Sequence, residues 1–100
     1  MACDIVNFCT VLRNNRDYEI ANQFIKAGTS VGANVRESQR GASTKDFANK
    51  LKIALKEAEE VEYWLDIIDA TRYYDLVSLY KQVDEIIRLL LSIIKSSGNS

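Results

Sequence analysis

Apolar residues recur along this chain at alternating steps of four and three, the spacing of one face of an α-helix. The pattern breaks at residues 13–16, at Gly41 and over residues 70–74. These breaks predict four helices, over residues 2–12, 17–40, 44–69 and 74–96. Amphipathic helices joined by short loops pack as antiparallel neighbours. The sequence therefore predicts a single all-α domain over residues 1–100, an antiparallel up-down-up-down four-helix bundle with a short first helix.

The third segment carries the most regular apolar seam, and the fourth carries the widest one. The seam of the third segment is Phe47, Leu51, Ala54, Ala58, Val61, Leu65 and Ile68. The seam of the fourth segment is Leu76, Leu79, Val83, Ile86, Leu90 and Ile93, widened by Tyr80, Ile87, Leu91 and Ile94. This fourth seam is much wider than the two positions per heptad of a coiled coil. It predicts more apolar surface than one small bundle needs.

The second segment combines an apolar seam with two glycines and an asparagine. Its seam is Ile20, Phe24, Ala27, Val31, Asn34 or Val35, and Ser38. Gly28 and Gly32 each cost about 1 kcal/mol against alanine inside a helix. We interpret both as positions where another helix approaches closely. A buried polar group without a partner costs ~1–3 kcal/mol, so we predict that Asn34 and Glu37, one turn later, form a buried polar lock.

Local signals predict how the helices begin and end. The predicted N-terminal caps are Asn14 or Asn15 for the second helix, Ser43 with Asp46 for the third, and Thr71 or Asp75 for the fourth. Side-chain oxygens of these types accept hydrogen bonds from the free amides of a first turn. Gly41 suits the left-handed position that follows a helix.

The third segment also has a second line of apolar residues away from its seam. Ile53, Trp64 and Ile67 lie within about 60° of one another and about 100° from the centre of the seam, at 100° per residue. We name these three residues the apolar ridge. Exposed apolar surface that includes tryptophan is typical of protein interfaces, so the ridge is a candidate oligomer interface. The alternative is that a neighbouring helix of the same bundle covers it.

Charge is polarised along the chain although the net charge is only −1. Around the hairpin between the second and third helices, residues 36–56 carry six bases against the two acids Glu37 and Asp46, whereas residues 57–69 carry acids and no base. The six bases are Arg36, Arg40, Lys45, Lys50, Lys52 and Lys56. We name Arg36, Arg40, Lys45 and Lys52 the basic tip, a candidate nucleic-acid contact. The alternative is a solvated surface whose charge pattern sets helix pairing. The near-zero net charge argues against a general nucleic-acid binder.

Catalytic chemistry has little support in the residues. The chain has no histidine, which excludes most zinc sites and histidine acid–base catalysis. The run from Gly28 to Gly32 lacks the Lys-Ser/Thr end of a phosphate loop. We predict no catalytic residues, no cofactor and no metal site; an enzyme with a carboxylate-bound metal is the least favoured alternative. No signal peptide and no membrane span is expected, so the protein is predicted to be cytoplasmic.

Residues 24–69 resemble the four-helix-bundle family of 23S ribosomal RNA intervening-sequence proteins. The matching motifs are Gly28-Thr-Ser-Val-Gly-Ala-Asn-Val-Arg-Glu37, Ser43-Thr-Lys-Asp-Phe47, Leu51-Lys-Ile-Ala-Leu-Lys-Glu-Ala58 and Glu62-Tyr-Trp-Leu65. The resemblance implies a bacterial protein that forms a ring-like homo-oligomer, a pentamer, with no settled biochemical role. A structurally similar accessory protein of diversity-generating retroelements partners a reverse transcriptase and binds nucleic acid. The first helix is shorter than is usual in the family, so packing near Met1 is expected to be incomplete.

These observations together favour a non-enzymatic homo-oligomeric accessory or scaffold protein. Its expected partners are other copies of itself, and RNA or a nucleic-acid-processing protein. The alternative function is direct RNA or DNA binding through the basic tip of the hairpin between the second and third helices.

Overall fold

Four helices make up the regular structure of the described part of the chain. A computed structural model describes residues 1–40 and 43–97, and no strand occurs among them. The helices are α1 (Ala2–Asn14), α2 (Tyr18–Ser38), α3 (Thr44–Thr71) and α4 (Val77–Ser96). The predicted all-α architecture with a short first helix is confirmed. Gly41, the predicted helix end, lies outside the described residues.

The longest helix sets the length of the bundle. The 28 residues of α3 span ~42 Å at 1.5 Å per residue, and the molecule measures 44 Å along its longest axis. The most extensive contact is between α2 and α3. α4 also packs on α3, and α1 packs on α2. α1 also reaches α4 through the Gln82 amide, which donates to Asp4 Oδ2 at 2.9 Å.

The core follows the predicted seams closely in α3 and less closely in α4. Every predicted position of the α3 seam is buried except Phe47, which is half-buried. In α4 the line of burial runs through Leu79, Val83, Leu90 and Ile94. Ile86 and Ile93, predicted at the centre of that seam, are only half-buried and flank the buried line. The wide apolar stripe of α4 thus extends beyond the contact with its neighbours.

One of the two helix glycines marks a close helix contact. A Cβ atom built on Gly28 would lie 2.6 Å from Cδ1 of Ile5, so α1 approaches α2 closely there. Gly32 marks no such contact within the described part of the chain. A Cβ atom at Gly32 meets no other atom within 4 Å, because this turn of α2 faces open space near the start of α1.

The predicted helix caps can be compared with the hydrogen bonds that the capping side chains make. The Ser43 hydroxyl accepts from the Asp46 amide at 3.1 Å, which confirms the cap of α3. The predicted Asn14 or Asn15 cap of α2 is wrong, because Asp17 occupies the N-cap position and makes no side-chain cap bond. Asn15 instead donates to the Tyr74 hydroxyl on the α3–α4 loop.

The start of α4 was also placed too early. The helix begins at Val77, and the Asp75 carboxylate accepts from the Val77 amide at 3.2 Å. Thr71 does not cap it; this residue ends α3 and its hydroxyl donates to the Ile67 carbonyl at 2.6 Å. The Tyr74 ring packs edge-to-face on Phe8, which holds this residue against α1 rather than in a helical turn.

An ion pair joins the two loops at this end of the bundle. The Arg72 guanidinium donates to both carboxylate oxygens of Asp17, at 2.8 and 2.7 Å. This bidentate contact holds the pKa of Asp17 below its ordinary value and raises that of Arg72. It also explains why Asp17 makes no cap bond to its own helix.

Candidate functional site

The predicted apolar ridge is divided between covered and uncovered residues. Trp64 is half-buried and packs against the core, so its own bundle covers part of it. Ile67 is half-buried, and Ile53 is 42% exposed. The Trp64 indole N–H is buried without a hydrogen-bond partner among the described residues, an arrangement that costs ~1–3 kcal/mol. The tryptophan therefore belongs partly to the core, and Ile53 is the accessible apolar residue of the ridge.

Two glutamates lie on the same strip of α3 as the ridge. At 100° per residue, Glu57 and Glu60 fall within about 30° of the line that joins Ile53 to Trp64. Neither carboxylate belongs to an ion pair within residues 1–40 and 43–97. The surface that the ridge presents is therefore apolar at its ends and negative in the middle.

The basic tip is open to solvent. Arg36, Arg40, Lys45 and Lys52 are all exposed. None of the four forms an ion pair with another residue that the structure describes. Lys50, by contrast, pairs with Glu37 at 2.9 Å and joins α3 to α2. The tip thus carries four exposed positive charges without described ion pairs, with the carboxylate of Asp46 next to Lys45.

Asn34 and Glu37 do not form a mutual hydrogen bond in the single chain. The Asn34 amide donates to the Ser30 carbonyl of its own helix at 2.9 Å. The Glu37 side chain is 61% exposed, because the Lys50 ammonium on α3 holds it toward solvent. The fully buried polar residue of α2 is Ser38 instead, and its hydroxyl donates to the Val35 carbonyl at 2.6 Å. A polar lock at Asn34 and Glu37 therefore stays a prediction for an assembled state.

An apolar groove is the main surface feature that the sequence did not predict. We use "the groove" for the cleft of about 320 Å³ lined by Met1, Gly32, Val35, Ile86, Leu89 and Ile93 among others. Nearly all of its wall is apolar, and Leu89 on its edge is 58% exposed. Sequence reasoning placed Leu89 outside the α4 seam and Gly32 inside a helix contact. The signal that was available is the wide apolar arc of α4 opposite a glycine.

A second, polar cleft of about 820 Å³ lies at the opposite end of the bundle, between the α1–α2 and α3–α4 loops. Its walls include Asn15, Asp17, Arg72 and Tyr74. Their polar groups bond to one another, as described above, so we assign this cleft a structural role. Among the described residues, no group of three or more histidine, cysteine, aspartate or glutamate side chains is arranged to hold a metal ion. No described helix is long and apolar enough to cross a membrane.

Comparison with known proteins identifies the family. The sequence matches the family described as 23S rRNA-intervening sequence protein over residues 1–92. The structure is similar to the crystal structure of a protein with unknown function from the S23 ribosomal protein family of Bacteroides thetaiotaomicron. That similarity has a TM-score of 0.90 at 44% sequence identity and covers 94% of this chain and 91% of the other. No curated protein matches. The resemblance noted in residues 24–69 is confirmed, and the chain belongs to the family of 23S rRNA-intervening sequence proteins.

Proposed function

We propose that this protein is a non-enzymatic homo-oligomer that acts in the bacterial cytoplasm as an accessory or scaffold protein. The observation that carries the proposal is apolar surface that the described residues of a single chain leave uncovered. The groove is open, Leu89 on its edge is exposed, and Ile53 on α3 is exposed as well. Exposed apolar surfaces of this kind are typical of interaction sites.

The expected assembly is a ring of five copies, as the family resemblance implies. Light scattering coupled to gel filtration tests this at micromolar chain concentration. The expected mass is about five times the 11.3 kDa of one chain. A mass of one chain at every concentration tested would contradict the proposal. Another closed ring would retain the oligomer and correct only its size.

Direct binding of RNA or DNA through the basic tip is the second candidate function. It is supported by four exposed positive charges without ion pairs among the residues described. A ring of copies would place several such tips near one another and strengthen their field. Asp46 lies beside the tip in the first turn of α3, whereas the acids of residues 57–69 lie toward the other end of the bundle and weaken the field of the tip less than Asp46 does.

A salt titration separates the two candidate functions. Fluorescently labelled single-stranded RNA and duplex DNA are titrated with protein at several salt concentrations. Direct binding predicts that affinity falls steeply with salt, because each neutralised phosphate releases counterions. The double variant Arg36→Ala/Arg40→Ala is expected to weaken binding and to flatten this dependence by about two phosphate contacts. Lys26→Ala/Lys81→Ala, which removes two exposed bases outside the tip, is the matched control. No binding at low salt leaves the scaffold function alone.

A further inference from the structure

The groove is shaped for an apolar occupant that residues 1–40 and 43–97 of its own chain do not supply. Its lining is almost wholly apolar, and its opening between α2 and α4 leaves Leu89 exposed. Gly32 has no side chain to fill the α2 side of the groove, and no other atom lies within 4 Å of the place its Cβ would take. The groove residues Ile86 and Ile93 are seven positions apart, a length of ~10 Å along α4. The occupant must therefore present an apolar side chain over about two helical turns.

The charges at the two groove edges determine how a charged occupant lies in the groove. Arg36 follows Gly32 by four residues, so it lies one turn further along the same face of α2. It is exposed and has no ion-pair partner in the described part of the chain. On the α4 edge, Glu85 precedes Leu89 by four residues. An acidic occupant would be attracted to the α2 edge and repelled from the α4 edge, which fixes how it lies in the groove.

The ridge on α3 has the complementary character. Ile53 is exposed, and Glu57 and Glu60 follow on the same strip without ion pairs among the described residues. Ile53 and Glu60 are seven positions apart, the same ~10 Å that separates Ile86 from Ile93. The ridge thus offers an apolar side chain and two carboxylates over the length of the groove.

One chain cannot bring its own ridge and groove together. The Tyr80 hydroxyl donates to Asp66 Oδ1 at 2.7 Å, which places α4 on the Asp66 side of α3. Asp66 lies about 150° around α3 from Ile53 and Trp64, at 100° per residue. The ridge therefore faces away from α4, whereas α4 forms one wall of the groove.

We propose that the groove of one copy receives the α3 ridge of a second copy, with Ile53 against Leu89 and the two ridge glutamates toward Arg36. This inference rests on the proposed homo-oligomer and names the surfaces that build it. Pairing of two different surfaces is heterologous, and it closes into a ring when the rotation between copies allows. Every copy then uses both surfaces, each with a different neighbour.

Two single variants and their mixture test the pairing. Leu89→Glu places a negative charge in the groove, and Ile53→Lys places a positive charge on the ridge, at the side chain that would contact Leu89. Each variant alone is expected to have the mass of one chain, because every interface needs both surfaces. An equimolar mixture is expected to form a 1:1 dimer, since the intact ridge of the first variant fits the intact groove of the second.

Matched controls separate this pairing from a general effect of surface charge. Leu91→Glu changes a leucine of the same helix that is 51% exposed and about 160° around α4 from Leu89. Val11→Lys changes an apolar residue of α1 that is 41% exposed. Both controls are expected to retain the mass of the unmodified protein. Circular dichroism checks that every variant is folded, and Leu89→Ser and Ile53→Ser replace any charged variant that is not.

The possible outcomes distinguish failure of the proposed oligomer from failure of the groove–ridge pairing. A single-chain mass for the unmodified protein would overturn the proposed oligomer itself. An oligomer whose mass survives both Leu89→Glu and Ile53→Lys would retain the proposed function and overturn the groove–ridge pairing. Disruption by only one of the two variants would show pairing of like surfaces and also overturn it. A mixture that stays at the mass of one chain would overturn it as well.

Discussion

Substitution of Gly28 by alanine tests how closely α1 and α2 are packed. In an open helix the change is expected to stabilise by about 1 kcal/mol, because glycine loses more backbone entropy on folding. Here the new Cβ would lie 2.6 Å from Cδ1 and 3.0 Å from Cγ2 of Ile5. Ile5 is fully buried, so its side chain has little room to move away. Overpacking of this kind costs ~1–3 kcal/mol, and we expect a net loss of about 1 kcal/mol.

Gly32→Ala is the matched control on the same helix. No atom lies within 4 Å of its new Cβ, so we expect the helix gain of up to ~1 kcal/mol with no steric cost. Both free energies of unfolding come from urea titrations at a chain concentration where light scattering gives the mass of one chain. A difference of 1 kcal/mol also shifts the thermal midpoint by ~4–8 °C in a domain of this size.

The Ile5→Val variant identifies the atom responsible. Valine lacks Cδ1, the nearest atom to the new methyl group, and the change alone costs ~0.5–1.5 kcal/mol. In this background Gly28→Ala is expected to be neutral or stabilising, a positive coupling in a double-mutant cycle. If Gly28→Ala stabilises the unmodified protein as much as Gly32→Ala does, the argument for close packing at Gly28 is refuted.

Three further perturbations test single contacts. Ser43→Ala removes the cap of α3 and is expected to cost ~0.5–2 kcal/mol in urea titrations, whereas Ser43→Asp retains a cap and most of the stability. Tyr80→Phe removes the hydrogen bond to Asp66 and is expected to cost ~0.5–1.5 kcal/mol. Burial and that bond raise the pKa of Tyr80, so ultraviolet titration should show one fewer late-ionising tyrosine in the variant. Asp17→Asn is expected to lower the thermal midpoint at neutral pH. Because Arg72 lowers the pKa of Asp17 in the folded state, this stabilisation is present above the unfolded pKa and is lost as pH falls through the folded one. The acid-induced fall in midpoint should therefore be smaller in Asp17→Asn, and equal falls would contradict the assignment.

The parts of the fold that sequence reasoning predicted are those fixed by short-range order. The α3 seam repeats one spacing without interruption, and Ser43 finds its partner three residues away. The cap of α2 was wrongly predicted at Asn14 or Asn15. The residue at the N-cap position is Asp17, and its side-chain partner, Arg72, lies 55 positions later in the chain. The carboxylate that begins α2 is committed to another loop, and no local pattern records that.

The sequence predicted which residues make up the candidate surfaces. It did not predict which of those residues are accessible to solvent. The bases of the tip were found from charge alone, and all four are exposed. Trp64 was assigned to the surface, yet its indole nitrogen is buried. The groove was not predicted because helical periodicity shows which face of α2 carries Gly32. It cannot show that α1 begins too far along to cover that face.

Contacts between the α1–α2 and α3–α4 loops make one end of the bundle harder to open than the other. The Asp17–Arg72 pair and the Asn15–Tyr74 bond must both break before those loops separate. At the opposite end, where Met1 borders the open groove, the described cross-links are single contacts of solvent-accessible side chains, Lys50 with Glu37 and Gln82 with Asp4. Spontaneous unzipping should start there, because local opening begins where few buried contacts resist it. Amide hydrogen exchange in the first turn of α1 and the last turns of α4 should be fast in an isolated chain. Burial of the groove by a neighbouring copy would slow it, so assembly and local rigidity would be gained in the same step.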